Sequence, residues 1–369
     1  MKAKKKLPFF DKIVLWINYA VGLALLISYL APIADPRKYW VIAFFGLAYP
    51  LLLLANALLI LYWAFRKNWY ALLSAGCIVI GINVLNNNIA FNFGNSNTPK
   101  LTDTNAVRLM TYNVHNFKKY GASHDTSTRH DILALIKKQD PDIIGIQEYF
   151  TRKRGQYAMT DSMNKLLGYH NFYFVDVNQN EDEAIGIALF TKYKIINKGL
   201  LLLAEPGSEN QCIYIDVKKA NGIFRVYSVH LQSINFKKED YKYLDTISSG
   251  KPDMISTRRL GGKLKRAFIK RAEQVFKIKA HAKQCPYPYI ISGDFNDTPT
   301  SYVVNQMSKG LKNAFREKGF GLGRTYNGDF PNYQIDYVMA TPAFDVKSYT
   351  IVEKKLSDHY PIITDLVLK

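Results

Sequence analysis

The sequence predicts an α/β domain behind an N-terminal helical region of membrane type, and three observations predict it. Short apolar runs with strand periodicity recur through residues 106–369, with helical patterns between them. Five of these runs carry a polar side chain at or near one end. Residues 13–34, 39–65 and 68–99 contain no Lys, Arg, Asp or Glu at all.

The uncharged windows come first in the chain. A bilayer-spanning helix needs about 20 mostly apolar residues, so each window is long enough and three spans are expected. Asp35-Pro-Arg-Lys38 and Arg66-Lys67 separate them, and Trp16, Tyr19, Tyr39, Trp40, Trp63, Trp69 and Tyr70 fall near the expected interfaces. A cleaved signal peptide is the alternative for the first window, because Lys2, Lys4, Lys5 and Lys6 precede it; two further windows and the lack of a small-x-small cleavage pattern disfavour it. Asn83, Asn86, Asn87, Asn88 and Asn92 crowd the distal half of the third window, so that half either leaves the bilayer or faces other helices. The N-terminus carries five lysines, counting Lys12, against two basic residues in each break. The positive-inside rule then keeps the N-terminus cytoplasmic, and three crossings put the C-terminal domain outside the cytoplasm; an even number would reverse the side. The expected organisation is a helical region at 1–92, a linker rich in Asn, Thr, Ser and Gly at 93–105, and a domain at 106–369.

Charge bounds the partners of that domain. The net charge is +19, and residues 1–99 hold 9 basic and 2 acidic residues, which leaves +12 for the remainder. A basic domain beside a membrane attracts polyanions such as nucleic acid or acidic headgroups. The densest basic run, 258–266, continues through Lys270, Arg271, Lys277, Lys279 and Lys283. Leu264, Phe268, Ala272, Val275, Phe276 and Lys279 recur within it at helical spacing, so a solvated helix face is favoured over a dedicated phosphate track. Cys77, Cys212 and Cys285 are too few for a disulfide scaffold; one bridge between the last two is allowed, and three reduced thiols are expected.

Within the domain, residues 126–139 read as a helix capped by Ser127 or Thr128, with Ile132, Leu133, Leu135 and Ile136 as its buried stripe and Pro141 beyond its end. Residues 108–113 and 224–230 alternate apolar with polar and read as half-buried strands, whereas 142–148, 289–294 and 334–339 read as buried ones. Residues 232–262 are long, polar and weakly patterned, which suits a lid, a specificity loop or a disordered insertion. The polar group ends its run in four of the five strands, while Asp336 sits early in its own. If the strands form sheets packed face to face, those ends gather along one rim.

The residues gathered there are Asn113, Glu148, His230, Asp294 with Asn296, Asp336, and Asp358 with His359. Carboxylates, amides and imidazoles are what hydrolysis of a phosphate ester with a divalent cation requires. Glu148 offers the hard oxygen that Mg²⁺ prefers. Asp294 and Asn296, two apart, project to one side of an extended segment, as a water-activating carboxylate and a phosphate-holding amide would. Isolated His115, His124, His130, His170 and His281 read as ordinary surface or core residues, and Asp142 and Asp297 as turn caps.

Thr111-Tyr-Asn113, Ile146-Gln-Glu148, Ser228-Val-His230-Leu, Gly293-Asp-Phe-Asn296, Gln334-Ile-Asp336-Tyr and Ser357-Asp-His359 resemble, in order and spacing, the motif series of the endonuclease/exonuclease/phosphatase superfamily, whose fold is like that of deoxyribonuclease I. The resemblance covers about residues 106–369 and points to a membrane-anchored, bacterial-type member in an inner membrane. It implies a four-layered α/β sandwich, two central β-sheets flanked by helices, with a Mg²⁺ site that also admits Mn²⁺. By the resemblance, Glu148, Asn113 and Asp358 hold the metal, while His230, Asp294, Asn296, Asp336 and His359 are catalytic. Asp336 orients His359, and His230 stands across the phosphate, which Asn113, Asn296 and His230 bind. His115 departs from the abasic-site endonucleases, which carry an acid at that place. Glu181, Asp182 and Glu183 lie near where nuclease-like members place the acid that orients the equivalent of His230. The expected activity is phosphodiester hydrolysis on nucleic acid by a membrane-tethered enzyme. The alternatives are a sphingomyelinase-like headgroup phosphodiesterase, a phosphatase, or a non-catalytic polyanion-binding module; the expected partners are the phosphodiester and the bilayer, with no obligate protein partner.

Overall fold

A computed structural model of the chain describes residues 7–92, 100–101, 103, 105–121, 125, 127–168, 171–205, 207–219, 222–234, 236–248, 253–328 and 332–369. His124, His170 and most of the expected linker lie outside the described residues. Two compact units emerge, Met1–Asn88 with Thr298–Asn305, and Ile89–Asp297 with Gln306–Lys369.

The first unit contains helices α1 (Phe9–Ser28), α2 (Pro36–Leu47), α3 (Tyr49–Phe65), α4 (Ala71–Ile80) and α5 (Ile82–Asn88). Among the described residues only α1 is long and apolar enough to cross a membrane unbroken, which corrects the expected three spans. The second window is split into α2 and α3, bent by 46°, and the third into α4 and α5, bent by 71°. Pro50 accounts for the first break, since it has no N–H to donate and its ring crowds the carbonyl of Gly46. At the second break the Tyr29 ring lies against Gly81, where a Cβ would come within 2.0 Å of it. The Tyr29 hydroxyl donates to the Cys77 carbonyl at 2.9 Å. The Asn-rich half of the third window therefore turns aside as α5. Buried polar groups inside the helices satisfy one another: Asn18 Nδ2 donates to Ser74 Oγ at 2.7 Å, and Trp63 Nε1 donates to Asn18 Oδ1 at 2.8 Å.

The second unit contains β1 (Ala90–Phe91), β2 (Ala106–Asn113), α6 (Thr128–Gln139), β3 (Ile143–Arg152), α7 (Met159–Leu167), β4 (Asn171–Gln179), β5 (Glu183–Thr191), β6 (Lys194–Leu202), β7 (Gln211–Lys219) and β8 (Gly222–His230). It continues through α8 (Lys238–Ser248), α9 (Met254–Lys283), β9 (Tyr289–Asp294), α10 (Tyr302–Ser308, whose residues up to Asn305 belong to the first unit), β10 (Lys312–Asn313), α11 (Ala314–Lys318), β11 (Phe320–Gly321), β12 (Asp336–Ala340), β13 (Phe344–Ile351) and β14 (Ile362–Leu368). One six-stranded sheet has the order β13-β14-β2-β3-β5-β4 and the other β10-β12-β9-β8-β7-β6. Val107, Leu109 and Leu189 of the first and Ile213, Val226 and Ile290 of the second share one core, which packs the sheets face to face. Helices flank them. The stripe Ile132, Leu133, Leu135 and Ile136 of α6 covers Met110, Ile144 and Ile146, and α9 turns Ala267, Phe268, Ala272, Val275 and Ile278 inward.

Residues 108–113 and 224–230 are buried on both faces rather than one. Their polar members are tolerated because they are paired: Arg108 bonds both oxygens of Asp365 at 2.7 and 2.9 Å, and Arg225 those of Asp216 at 2.5 and 2.8 Å. The cysteines are all free, as expected. The supposed loop at 232–262 contains α8 and the start of α9; residues 235 and 249–252 lie outside the described part.

Helix α6 is capped by Asp125, not by Ser127 or Thr128. Its carboxylate accepts from the backbone N–H groups of Ser127, Thr128 and Lys119 at 3.0, 3.2 and 2.8 Å. Partial burial raises its pKa, but Thr128 and those three N–H groups outweigh it and hold the carboxyl below the usual range. Asp125→Ala is expected to cost about 1 kcal/mol, the worth of a typical cap, read as a lower midpoint of thermal unfolding. Because the folded pKa is depressed, this contribution is present above the unfolded value of about 3.9 and disappears as pH falls through the folded one. The gap between variant and parent should narrow on acidification; a gap of unchanged size at about pH 2 counts against the cap.

Candidate active site

Each six-stranded sheet holds one parallel pair, β2 with β3 and β8 with β9. Parallel neighbours need a long crossover and end side by side. Asn113 therefore stands opposite Gln147, one residue before Glu148, and His230 stands opposite Asp294. Strand β12 runs antiparallel to β9, which places its first residue, Asp336, opposite Asp294. This explains why Asp336 sits early in its run: the start of β12 shares a rim with the end of β9. Gly293 lets these strands close up, since a Cβ there would meet the Val229 carbonyl oxygen at 2.1 Å and its φ is +139°.

Asp294 is the centre of the cluster. Its Oδ2 accepts from Asn113 Nδ2 at 3.2 Å and Asn296 Nδ2 at 3.1 Å, and lies 3.6 Å from His230 Nε2 and 3.8 Å from His359 Nε2. Burial pushes its pKa up to about 6; the positive charges of His359 and His230 pull against that and the Asp336 carboxylate adds to it. His359 Nδ1 is 2.9 Å from Asp336 Oδ2. Burial alone would lower the His359 pKa, yet the neighbouring Asp336 and Asp294 carboxylates raise it well above the ordinary value. Ser357 Oγ donates to the Asn113 carbonyl at 2.8 Å, which ties Ser357-Asp-His359 to the end of β2.

Glu148 occupies a bulge between Ile146 and Tyr149 and has φ +50°, so its side chain leaves the strand's alternation and turns toward the rim. Asn113 Nδ2 donates to its Oε1 at 3.0 Å. His115 Nδ1 lies 3.4 Å from Glu148 Oε2 and 3.7 Å from Asp358 Oδ1, so both carboxylates converge on one point. Burial would raise the Glu148 pKa, but the bond from His115, the charge of His230 and the Asn113 amide bring it to about 2. Two hard-oxygen carboxyl groups converging near a half-exposed imidazole fit a divalent cation. A second cluster, Asp294, Asp336 and His359, has ligand-type atoms within 4.8 Å of one another, but the Asp336–His359 bond already uses one oxygen and one nitrogen of that set.

Three side chains escaped the sequence reading. His115, taken as an ordinary histidine, stands between Glu148 and Asp358. Arg271, taken as part of a basic face, is 1 % exposed. Its guanidinium donates to the Asn296 carbonyl and pairs with Asp297 at 3.1 Å, so Asp297 is an ion-pair partner rather than a simple turn cap. The signal for Arg271 was its place on the apolar stripe between Phe268 and Val275. The sequence assigns none of Glu181, Asp182 and Glu183 to orient His230, and the group that does so is a backbone carbonyl: His230 Nδ1 donates to the Glu209 carbonyl at 3.0 Å, while Glu183 is paired with Arg152. A backbone carbonyl leaves no trace in residue type. His130 and His281 hydrogen-bond Arg129 and Tyr227, consistent with ordinary structural roles.

Removing Arg271 should be costly. Arg271→Met leaves Asp297 and the Asn296 carbonyl without their buried partner, a loss of about 3–5 kcal/mol. Chemical denaturation followed by near-ultraviolet circular dichroism of the tyrosines measures it, since all four tryptophans lie in the first unit, and a loss under about 1 kcal/mol would contradict the assignment.

The endonuclease/exonuclease/phosphatase family matches residues 110–359, which include every motif described above from Tyr112 to His359. The chain belongs to that family. A structure of a family member from Bacteroides vulgatus is 20 % identical, with a TM-score of 0.52, and covers 72 % of this chain and 99 % of its own. One from Beutenbergia cavernae is 21 % identical, with a TM-score of 0.51, and covers 72 % of each chain. The human Nocturnin catalytic domain with bound sulfate is 16 % identical, with a TM-score of 0.50, and covers 72 % of this chain and 95 % of its own. At these identities the likeness concerns the fold, two mixed sheets flanked by helices. A family described as "Domain of unknown function (DUF8431)" matches residues 11–88. No curated protein matches the chain. Members of the endonuclease/exonuclease/phosphatase family hydrolyse phosphoester bonds and typically use divalent metals, so this chain is a hydrolase of that kind.

Proposed function

We propose that this chain is a Mg²⁺-dependent phosphodiesterase acting on nucleic acid, tethered by its N-terminal helices with the catalytic domain outside the cytoplasm. The observation that carries the reading is Asp294 Oδ2 lying between two imidazoles, 3.6 Å from His230 Nε2 and 3.8 Å from His359 Nε2, so that a carboxylate and two imidazoles face one small volume.

A phosphate seated there meets a different side chain on each side. Asp294, with a pKa near 6, accepts a proton from the attacking water at neutral pH. His359, kept protonated by Asp336, holds a non-bridging oxygen as charge builds on it. His230, fixed through Nδ1, presents Nε2 to the leaving oxygen and gives it a proton. Asn113 and Asn296 hold Asp294 in place, and each commits both amide hydrogens within the site, Asn113 to Glu148 and Asp294 and Asn296 to the Leu231 carbonyl and Asp294, so here they position the base rather than bind the phosphate. Glu148 and Asp358 would hold the cation, with Asn113 orienting Glu148; a bound divalent ion supplies further charge neutralisation for the phosphate. The tether is supported by α1 and the five N-terminal lysines.

The test uses the full chain in detergent with bis(p-nitrophenyl) phosphate and p-nitrophenyl phosphate, in Mg²⁺, Mn²⁺ or EDTA. Diester hydrolysis that EDTA abolishes is expected. Turnover of the monoester alone makes the protein a phosphatase, and binding of polyanions without any turnover makes it a binding module.

A further inference from the structure

Helix α8 lies in the stretch that looked like a loop, and it brings aromatic rings to the catalytic rim. The Tyr326 ring packs edge-on against His359, with centroids 5.4 Å apart at 76°, and Tyr326 forms an isolated bridge with His359. The Tyr326 hydroxyl interacts with Tyr241 of α8, and Tyr120 is also close to it. Phe236 packs edge-on with Tyr241 at 5.5 Å, and Tyr120 packs on His115 at 5.6 Å. Rings from three separate parts of the chain thus stand beside the histidines.

The same helix is pinned to a basic track. Asp240, the neighbour of Tyr241, is 1 % exposed and pairs with Arg259 at 3.1 Å and Lys263 at 2.5 Å on α9. Arg266, Lys270 and Lys277 continue the same stripe of α9 and are exposed, with Glu273 between the last two, while Lys263 is mostly buried against Asp240. From Arg259 to Lys277 the helix rises by about 27 Å. A lipid headgroup offers one phosphate to such a track; a polynucleotide offers several. Aromatic rings set beside a line of positive charge suit bases that alternate with phosphates, and a ring stacks on a base only when that base is unpaired.

Resting on the phosphodiesterase reading, we propose that the substrate is single-stranded nucleic acid. An unpaired base beside the scissile phosphate packs on Tyr241 and Tyr326, and the neighbouring phosphates follow the α9 stripe.

The experiment measures kcat/KM of the full chain in detergent on one oligonucleotide in three forms, single-stranded, duplex, and single-stranded with abasic tetrahydrofuran units. Bis(p-nitrophenyl) phosphate and p-nitrophenylphosphorylcholine complete the panel. The single strand is expected to exceed both the duplex and the abasic strand about tenfold, the value of one stacked base. In Tyr241→Ala the ratio of normal to abasic strand should fall toward one, and Tyr241→Trp should restore it. Equal rates on duplex and single strand, or an unchanged ratio in Tyr241→Ala, overturn the proposal. So does a preference for the phosphorylcholine ester, which would make the tyrosines a box for a quaternary ammonium. Failure on every diester, including bis(p-nitrophenyl) phosphate, instead removes the phosphodiesterase reading itself.

Discussion

Glu148→Gln is expected to lower divalent-metal affinity by about a hundredfold or more, with the protein still folded. Substitutions behind a metal ligand already cost about 10- to 100-fold, and here the ligand's own charge is removed. The carboxylate is already ionised near neutral pH, because His115, His230 and Asn113 outweigh its burial and bring its pKa to about 2. Gln keeps the volume and the contact with Asn113, so the bulge at Ile146 and Tyr149 has no reason to move. Isothermal titration of the full chain with Mn²⁺ reads the change. The same titration separates the two acidic clusters. If the ion is held at Glu148 and Asp358, Asp336→Asn binds it almost normally; if it is held by Asp294, Asp336 and His359, Asp336→Asn loses it and Glu148→Gln does not.

What the sequence disclosed and what it hid divide along a physical line. Residue type and spacing report which groups end a strand, so Asn113, Glu148, His230, Asp294, Asp336 and His359 were all legible, and the register then sets three of them in one row. Contacts made by the backbone are silent in sequence, which is why the Glu209 carbonyl behind His230 could not be read. Alternation misled in β2 and β8 because a paired Arg or Asp inside a sheet looks like a solvated one until its partner, 257 residues away for Arg108, is in place. Arg271 was hidden for the same reason. Length and hydropathy suggested three membrane spans, but Pro50 and the packing of Tyr29 on Gly81 break two of them, and such breaks depend on single residues rather than on averages.

Asp336→Asn should reduce kcat by about a hundred- to ten-thousand-fold, the range for loss of a positioned acid or base, and should also change its pH dependence. In the parent, Asp336 and Asp294 hold His359 protonated well beyond its ordinary pKa, whereas Asp294 titrates near 6. The active form has Asp294 ionised and both His359 and His230 protonated, so activity rises through about pH 6 and falls where the first of the two imidazoliums loses its proton. Asn at 336 keeps a hydrogen bond to Nδ1 but withdraws the negative charge. The His359 pKa then drops, and the alkaline limb moves to lower pH while the acid limb shifts slightly down, because Asp336 no longer adds to the Asp294 pKa. A narrower bell centred at lower pH is the expected profile for hydrolysis of bis(p-nitrophenyl) phosphate. A uniform fall in rate with an unmoved alkaline limb would mean that His230 sets that limb, or that Asp336 only positions the ring and the charge on His359 comes from elsewhere.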